Sequence, residues 1–255
     1  MSSLLKSIAN EYLNFQVKGK KVNIPYCIVK PPNEKYEQYH MGRTDKYLNY
    51  AGKGTPEQIK KSLLIAAKKR NFDLDKASAE RIAEFMEKEG IGIDCSGYVY
   101  NILNAYLKKA KGVFLGQNIL RYPGLLGKIE RFLLQKNRVR RVSGTTLTSN
   151  LNTIKIYKVK DILPGDMLRL THTHWSGKHP ALILNLTKDE ILYTHCSEYS
   201  QKQGPHLAKI KILDPEKGLE FQDWLELTQR NENYGKYAFD PKRGDSVRRL
   251  LLRGK

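Results

Sequence analysis

The sequence contains no uninterrupted run of the roughly 18 to 20 uncharged apolar residues that a membrane-spanning helix requires, so no segment reads as transmembrane. Its opening, Met-Ser-Ser-Leu-Leu-Lys-Ser-Ile, lacks the basic stretch followed by an apolar core of a secretory signal. The expectation is a protein that stays in the cytoplasm as synthesised or reaches the cell envelope by a non-classical route. Cysteine is scarce, with 3 in 255 residues. Cys27, Cys95 and Cys196 show neither a metal-knuckle spacing nor an even disulfide framework, so at least one thiol is unpaired. Acidic residues are also few, 26 against 45 Lys and Arg, for a formal charge of +19. That excess excludes an acidic disordered tail and points to anionic partners. No His-Glu-x-x-His helix is present, and Gly52-Lys53-Gly54-Thr55 lacks the first glycine and the spacing of a phosphate loop. No cofactor and no metal are expected, and there is no internal repeat or low-complexity linker.

What is present reads as helices first and strands later, the pattern of one α+β domain. An amphipathic helix is expected over Ser3–Phe15 and a strand over Lys21–Val29, broken at Pro25. Thr55-Pro56-Glu57-Gln58 supplies an N-cap, a proline at the first helical position and the partner of a capping box, which predicts a helix to about Arg70. A second helix over 76–89 stops at Gly90. A third follows Cys95, and a fourth is expected over 127–136. Candidate strands are 167–170, 181–186, 191–195, 206–213 and 247–252, each a short apolar or β-branched run bounded by turn residues.

Cys95 is the sharpest chemical signal. A thiol in the first turn of a helix faces unpaired N–H groups and the positive end of the dipole, which favours thiolate. Asp94 is placed to cap that helix, and Gly97 permits close approach. Packing alone would also explain a buried cysteine. Further along, Leu163-Pro164-Gly165-Asp166 launches one strand, His179 begins the next, and His195 ends the one after. Antiparallel pairing of the last two would set the rings side by side. A cysteine nucleophile needs a histidine base, and that base needs a polar group to fix its tautomer; His179 and His195 fit those roles. Thr171-His172-Thr173-His174, with His179 or His195, offers a competing zinc arrangement, although no acidic residue stands at a metalloprotease spacing.

The segment Asp94-Cys95-Ser96-Gly97-Tyr98-Val99-Tyr100, the Leu-Pro-Gly-Asp turn, the strand beginning at His179 and the strand ending at His195 together resemble the NlpC-type cell-wall cysteine peptidases, a papain-like family. The resemblance covers about residues 91–212. It implies an α+β, papain-like fold with the nucleophile helix packed on an antiparallel sheet or partial barrel. The single catalytic domain would span 1–255, with an N-terminal extension and helical insertion over 1–90 and the family core over 91–255. It further implies a bacterial hydrolase acting on amide bonds of peptidoglycan stem peptides, at D-glutamyl–diamino acid bonds. Carried over residue by residue, Cys95 is the nucleophile, His179 the base and His195 the orienter. Tyr26, in a Pro-Tyr setting, matches a family tyrosine near the acyl site, and Asp94 and Ser96 would line the substrate site. Helix capping and first-turn solvation explain those last two equally well. The chain departs from the family in three places: Pro180 follows His179, Cys196 replaces a small residue, and the interval from Tyr26 to Cys95 is unusually long.

The segment 108–141 carries ten Lys or Arg and one acid, Glu130. It is read as a docking surface for an anionic wall polymer or membrane surface; nucleic acid is less favoured, because no recognised binding signature or stacking platform accompanies the charge. Two other functions stay open. One is a thiol acyltransferase or amidase on another substrate, marked by a long apolar groove beside Cys95. The other is a basic non-catalytic module that binds nucleic acid or wall polymer.

Overall fold

The computed structural model describes residues 2–27, 52–116, 120–121, 142–172 and 177–252. The helix expected over 127–136, most of the basic stretch and His174 lie outside these residues. The chain runs through α1 (Ser2–Leu13), a hairpin of β1 (Gln16–Val17) and β2 (Lys20–Lys21), α2 (Pro56–Arg70), α3 (Ala79–Lys88), α4 (Cys95–Lys111) and the single turn α5 (Gly144–Leu147). Strands then dominate: β3 (Thr153–Ile156), β4 (Met167–Leu170), β5 (His179–Leu186), β6 (Glu190–Ser197), β7 (Gly204–Lys211), β8 (Asp223–Trp224), and, after α6 (Tyr234–Ala238), β9 (Ser246–Leu250). No helix among the described residues is long and apolar enough to cross a membrane.

Local chemistry sets the helix ends. Thr55 and Gln58 close the capping box anticipated for α2, each side chain accepting from the other's backbone N–H, with Pro56 in the first turn; such a cap contributes about 1 kcal/mol. Ser78 caps α3, and Gly90 follows it at φ 67. Asp94 caps α4, and Gly112 ends it at φ 66. The strand expected over Lys21–Val29 does not form at that length. Beyond β2 its described part, as far as Cys27, makes only a parallel bridge, Tyr26 to Ile93, because Pro25 has no N–H to donate. Cys27 N–H donates to Ile93 O and Ile93 N–H to Pro25 O, each at 3.1 Å. This bridge lays Tyr26 beside the start of α4.

The seven main strands lie in the order β3-β9-β4-β5-β6-β7-β8, all neighbours antiparallel, and curl into a half-barrel. Alternation divides the two faces. Met167, Leu182, Leu184 and Cys196 pack outward against the helical layer, in one apolar cluster with Leu5 and Ile8 of α1, Leu63 of α2, Met86 of α3 and Val99 of α4. Ala181, Ile183, Ile191, Tyr193 and Ile210 point into the curl, where Trp224 and Tyr234 close over them. Helix α4 is pinned to both neighbours through Tyr98, whose ring meets Tyr12 edge-on at 5.2 Å and whose hydroxyl hydrogen-bonds Thr194 Oγ1 at 2.7 Å. Pro180 sits inside the sheet without cost to the β5–β6 ladder, because that ladder begins only at Leu182 paired with Thr194.

Gly144, at the head of α5, touches the carbonyl that precedes His179. A Cβ there would stand 1.8 Å from Lys178 O, and backbone cannot yield as a side-chain tip can. Gly144→Ala is therefore expected to destabilise the fold by about 3 kcal/mol and to displace the start of β5. Urea unfolding with a midpoint equal to that of the wild type would contradict this close approach.

Candidate active site

Cys95 is the first residue of α4 and is nearly buried, 5% exposed. Asp94 Oδ1 accepts from Gly97 N–H at 2.6 Å, the cap the sequence anticipates. Gly97 is required where it stands, since a Cβ would meet Gly52 O at 2.5 Å. The Tyr26 hydroxyl donates to Cys95 Sγ at 3.8 Å, so the chain places the Pro-Tyr tyrosine at the thiol despite a sequence separation of 69. Lys53 anchors the loop beneath. Its Nζ lies 2.7 Å from Asp94 Oδ2, bonds Ser96 Oγ, and donates to Val142 O at 2.9 Å. Asp94 and Ser96 are thus tied into a buried ionic knot as well as flanking Cys95. The Cys95 N–H makes no hydrogen bond among the described residues, which leaves a donor beside the sulfur.

The histidines form a second group inside the curl. His179 Nε2 lies 2.9 Å from His195 Nδ1, with the rings at 86°. His195 Nε2 lies 2.9 Å from Glu226 Oε1, and His206 Nε2 meets the same oxygen at 2.9 Å. The Tyr193 hydroxyl donates to Glu226 Oε2. His172 stacks beside His179 at 4.9 Å and bonds the Tyr234 hydroxyl at 2.9 Å through Nε2. His179 and His195 are each at most 1% exposed.

Tyrosines join the two groups. The thiol lies within electrostatic reach of Tyr199 and Tyr234; Tyr234 packs on His195 and Tyr199 on His172, at 5.3 and 4.9 Å. No hydrogen bond connects Cys95 with His179: the thiol takes Tyr26, and the imidazole takes His195. A cavity of about 640 Å³ opens alongside, with Tyr199, Arg230, Asn233, Lys236 and Tyr237 in its walls.

Burial governs the protonation states. It pushes the Cys95 thiol up to about 12, with Asp94 adding to the rise and Lys53, Tyr26 and the Ser96 N–H opposing it. The expected thiolate is therefore not the resting form, because desolvation outweighs the helix N-terminus. Burial, together with repulsion from His172 and His195, holds His179 well below the ordinary histidine value; burial also lowers His195, against the pull of Glu226. The resting pair is neutral thiol and neutral imidazole. Cys27 and Cys196 are unpaired and donate to Gly90 O and Ile93 O, which is structural work.

These buried neutral histidines predict acid sensitivity. Burial and His195 lower His172 to about 3, so below pH ~6.5 the unfolded chain takes up a proton that the folded chain refuses. Stability is lost as pH falls through that value. Glu226, which is depressed, contributes in the other window: its share is intact above the ordinary carboxylate range and lost only in stronger acid. Between pH 7.5 and 5.5 the expected loss is about 1.4 kcal/mol for His172 alone, read as a lower urea midpoint; an unchanged midpoint would contradict the burial of neutral rings.

Glu226 and His206 are the site residues that sequence reading misses. The signal was the alternation Trp224-Leu225-Glu226, which sets the glutamate on the same side as a buried tryptophan. His195 Nε2, His206 Nε2 and a Glu226 oxygen lie within 4.8 Å of one another, a donor set that could hold a metal ion. Two ligands of a tetrahedral zinc stand about 3.3 Å apart, however, and the 2.9 Å separations here are those of direct hydrogen bonds. Compared with protein-family models, curated proteins and solved structures, the chain matches none.

Proposed function

We propose that the chain is a papain-like cysteine hydrolase that cleaves amide bonds, with peptidoglycan stem peptides as its substrate class. The observations that carry this reading are a helix-start thiol under a tyrosine hydroxyl and a hydrogen-bonded file of His179, His195 and Glu226, with Tyr234 within electrostatic reach of the thiol and packed on His195. The class of substrate comes from the resemblance of the four motifs to the NlpC-type peptidases. It agrees with the cavity beside the site, where Arg230 and Lys236 against Glu232 leave a cationic surplus for a carboxylate-bearing peptide.

Cys95 attacks the amide carbonyl as its proton passes to His179 Nδ1, the ring nitrogen not engaged with His195. Because the resting thiol is bound to Tyr26, substrate docking brings thiol and imidazole into reach; catalytic hydrogen bonds commonly tighten only then. The oxygen that gains charge takes the Cys95 N–H and the Tyr26 O–H, a donor that burial keeps protonated. Collapse expels the amine, which takes its proton from His179, and leaves a thioester. Water, deprotonated by His179, then releases the acid and restores the thiol. His195 holds the His179 ring in place throughout.

An acyltransferase gains no support from the grooves. The apolar cavity of about 410 Å³ is walled by Leu103, Tyr106 and Leu107 of α4 with Leu163 and Leu250, and Leu103 lies about 12 Å along the helix from Cys95. Incubation with purified muropeptides tests the proposal. The expected products have masses summing to the substrate plus one water, cut at a D-glutamyl bond; intact stem peptides after prolonged incubation would overturn the substrate class.

A further inference from the structure

The partners behind His179 fix where each proton sits. Burial alone would raise the Glu226 carboxyl, but its contacts with His195 and His206 outweigh that and hold it well below the ordinary carboxylate range. An ionised carboxylate only accepts. Its Oε1 lies 2.9 Å from both His195 Nε2 and His206 Nε2, so both nitrogens carry hydrogen. His206 Nδ1 is 2.8 Å from the Gly204 carbonyl oxygen. His195 differs, because its Nδ1 faces a second imidazole instead of a carbonyl. A neutral His195 with hydrogen on Nε2 presents a bare Nδ1, which can only accept from His179 Nε2–H. His179 is then left with a bare Nδ1.

We propose that Glu226, which accepts from His195 Nε2, is a positioning residue that sets the tautomers of His195 and His179 and so presents His179 Nδ1 as the base. A doubly protonated His195 would donate from Nδ1, turning the neighbouring ring's hydrogen bond around; burial holds His195 in the neutral form. Tyr193, through its hydroxyl on Oε2, blocks the other lobe of the carboxylate from the remaining donors.

The kinetic part of this inference rests on the proposed hydrolase; the proton placement does not. Long-range ¹H–¹⁵N correlation of the histidine rings at pH 7.5 reads it without any substrate. The expected spectrum gives His195 and His179 one protonated Nε2 and one bare Nδ1 each. Hydrogen on His195 Nδ1 or on His179 Nδ1 would overturn the assignment, as would stoichiometric zinc in the purified protein. In Glu226→Gln, this single-tautomer pattern is expected to be lost and kcat to fall on the order of 10²-fold with KM unchanged. If Cys95→Ala is inactive while Glu226→Gln keeps the wild-type ring spectrum and kcat, the relay is wrong and the hydrolase stands. If the ring spectrum is as expected but no amide is cleaved, the hydrolase fails and the proton placement stands. Should Glu226→Gln not fold, the wild-type spectrum alone decides.

Discussion

Cys95→Ala is expected to abolish amide hydrolysis, with a loss of at least about 10⁴-fold in kcat, and to leave the unfolding midpoint close to that of the wild type. In the proposed mechanism the sulfur is the atom that bonds to the acyl group, and the other thiols are engaged elsewhere: Cys27 and Cys196 donate to backbone carbonyls. Ser96, the next residue, has its hydroxyl held by Lys53, Asp94 and Val142 O. Cys95→Ser is expected to be nearly as inactive, because a buried hydroxyl gives up its proton even less readily than the thiol does. Comparison of variant and wild type on the same muropeptide, with thermal unfolding of each, separates lost chemistry from lost fold. Undiminished cleavage by the alanine variant would remove Cys95 from the mechanism.

Lys53→Met is expected to cost about 3–5 kcal/mol of stability, the usual range when one partner of a buried ion pair is removed. For a chain of this size that corresponds to roughly 10 °C in Tm. The ammonium is 8% exposed and Asp94 13%, so its removal strands a desolvated carboxylate and also leaves the Val142 carbonyl without its donor. Exposed pairs such as Lys158 with Glu216 have no such consequence, because solvent replaces the lost partner. The knot also joins three parts of the chain, the turn at Lys53, the start of α4 and Val142, two residues before α5. Loss of activity in Lys53→Met is thus expected even below its melting temperature. A shift of less than about 1 kcal/mol in urea unfolding would mean that Asp94 is solvated and the knot is not structural.

Features with a short-range physical cause were legible from sequence. The Thr55 capping box, the Asp94 cap, the stop at Gly90 and the strands beginning near Met167 and ending near His195 each follow from a few neighbouring residues. Elements sustained by tertiary pairing were not. Thr153–Ile156 is half exposed and forms a strand only because Ser246–Leu250 pairs with it. Asp223–Trp224 is a two-residue strand with no periodicity to detect. As far as Cys27, the strand expected over Lys21–Val29 is reduced to one bridge because Pro25 has no N–H to give a ladder.

At the site, the neighbours of Cys95 and the pairing of His179 with His195 followed from position. The thiol's protonation did not, because desolvation depends on what Tyr26, Tyr199 and Tyr234 cover, and these approach from separate parts of the chain. Glu226 was hidden for the same reason, being an acid 31 positions beyond His195 whose role exists only once the half-barrel closes. Of the basic excess, Lys108, Lys109 and Lys111 lie exposed at the far end of α4 from Cys95.

The central claim is that Cys95 forms a covalent bond with the acyl group under the control of His179. Rapid acid quenching of wild-type protein during turnover of a stem peptide, followed by proteolytic mass mapping, tests it most directly. The predicted result is an adduct with the mass of the acyl fragment, lost on treatment with hydroxylamine, on the peptide containing Cys95. Turnover with no adduct, or with the adduct on Cys27 or Cys196, would contradict it.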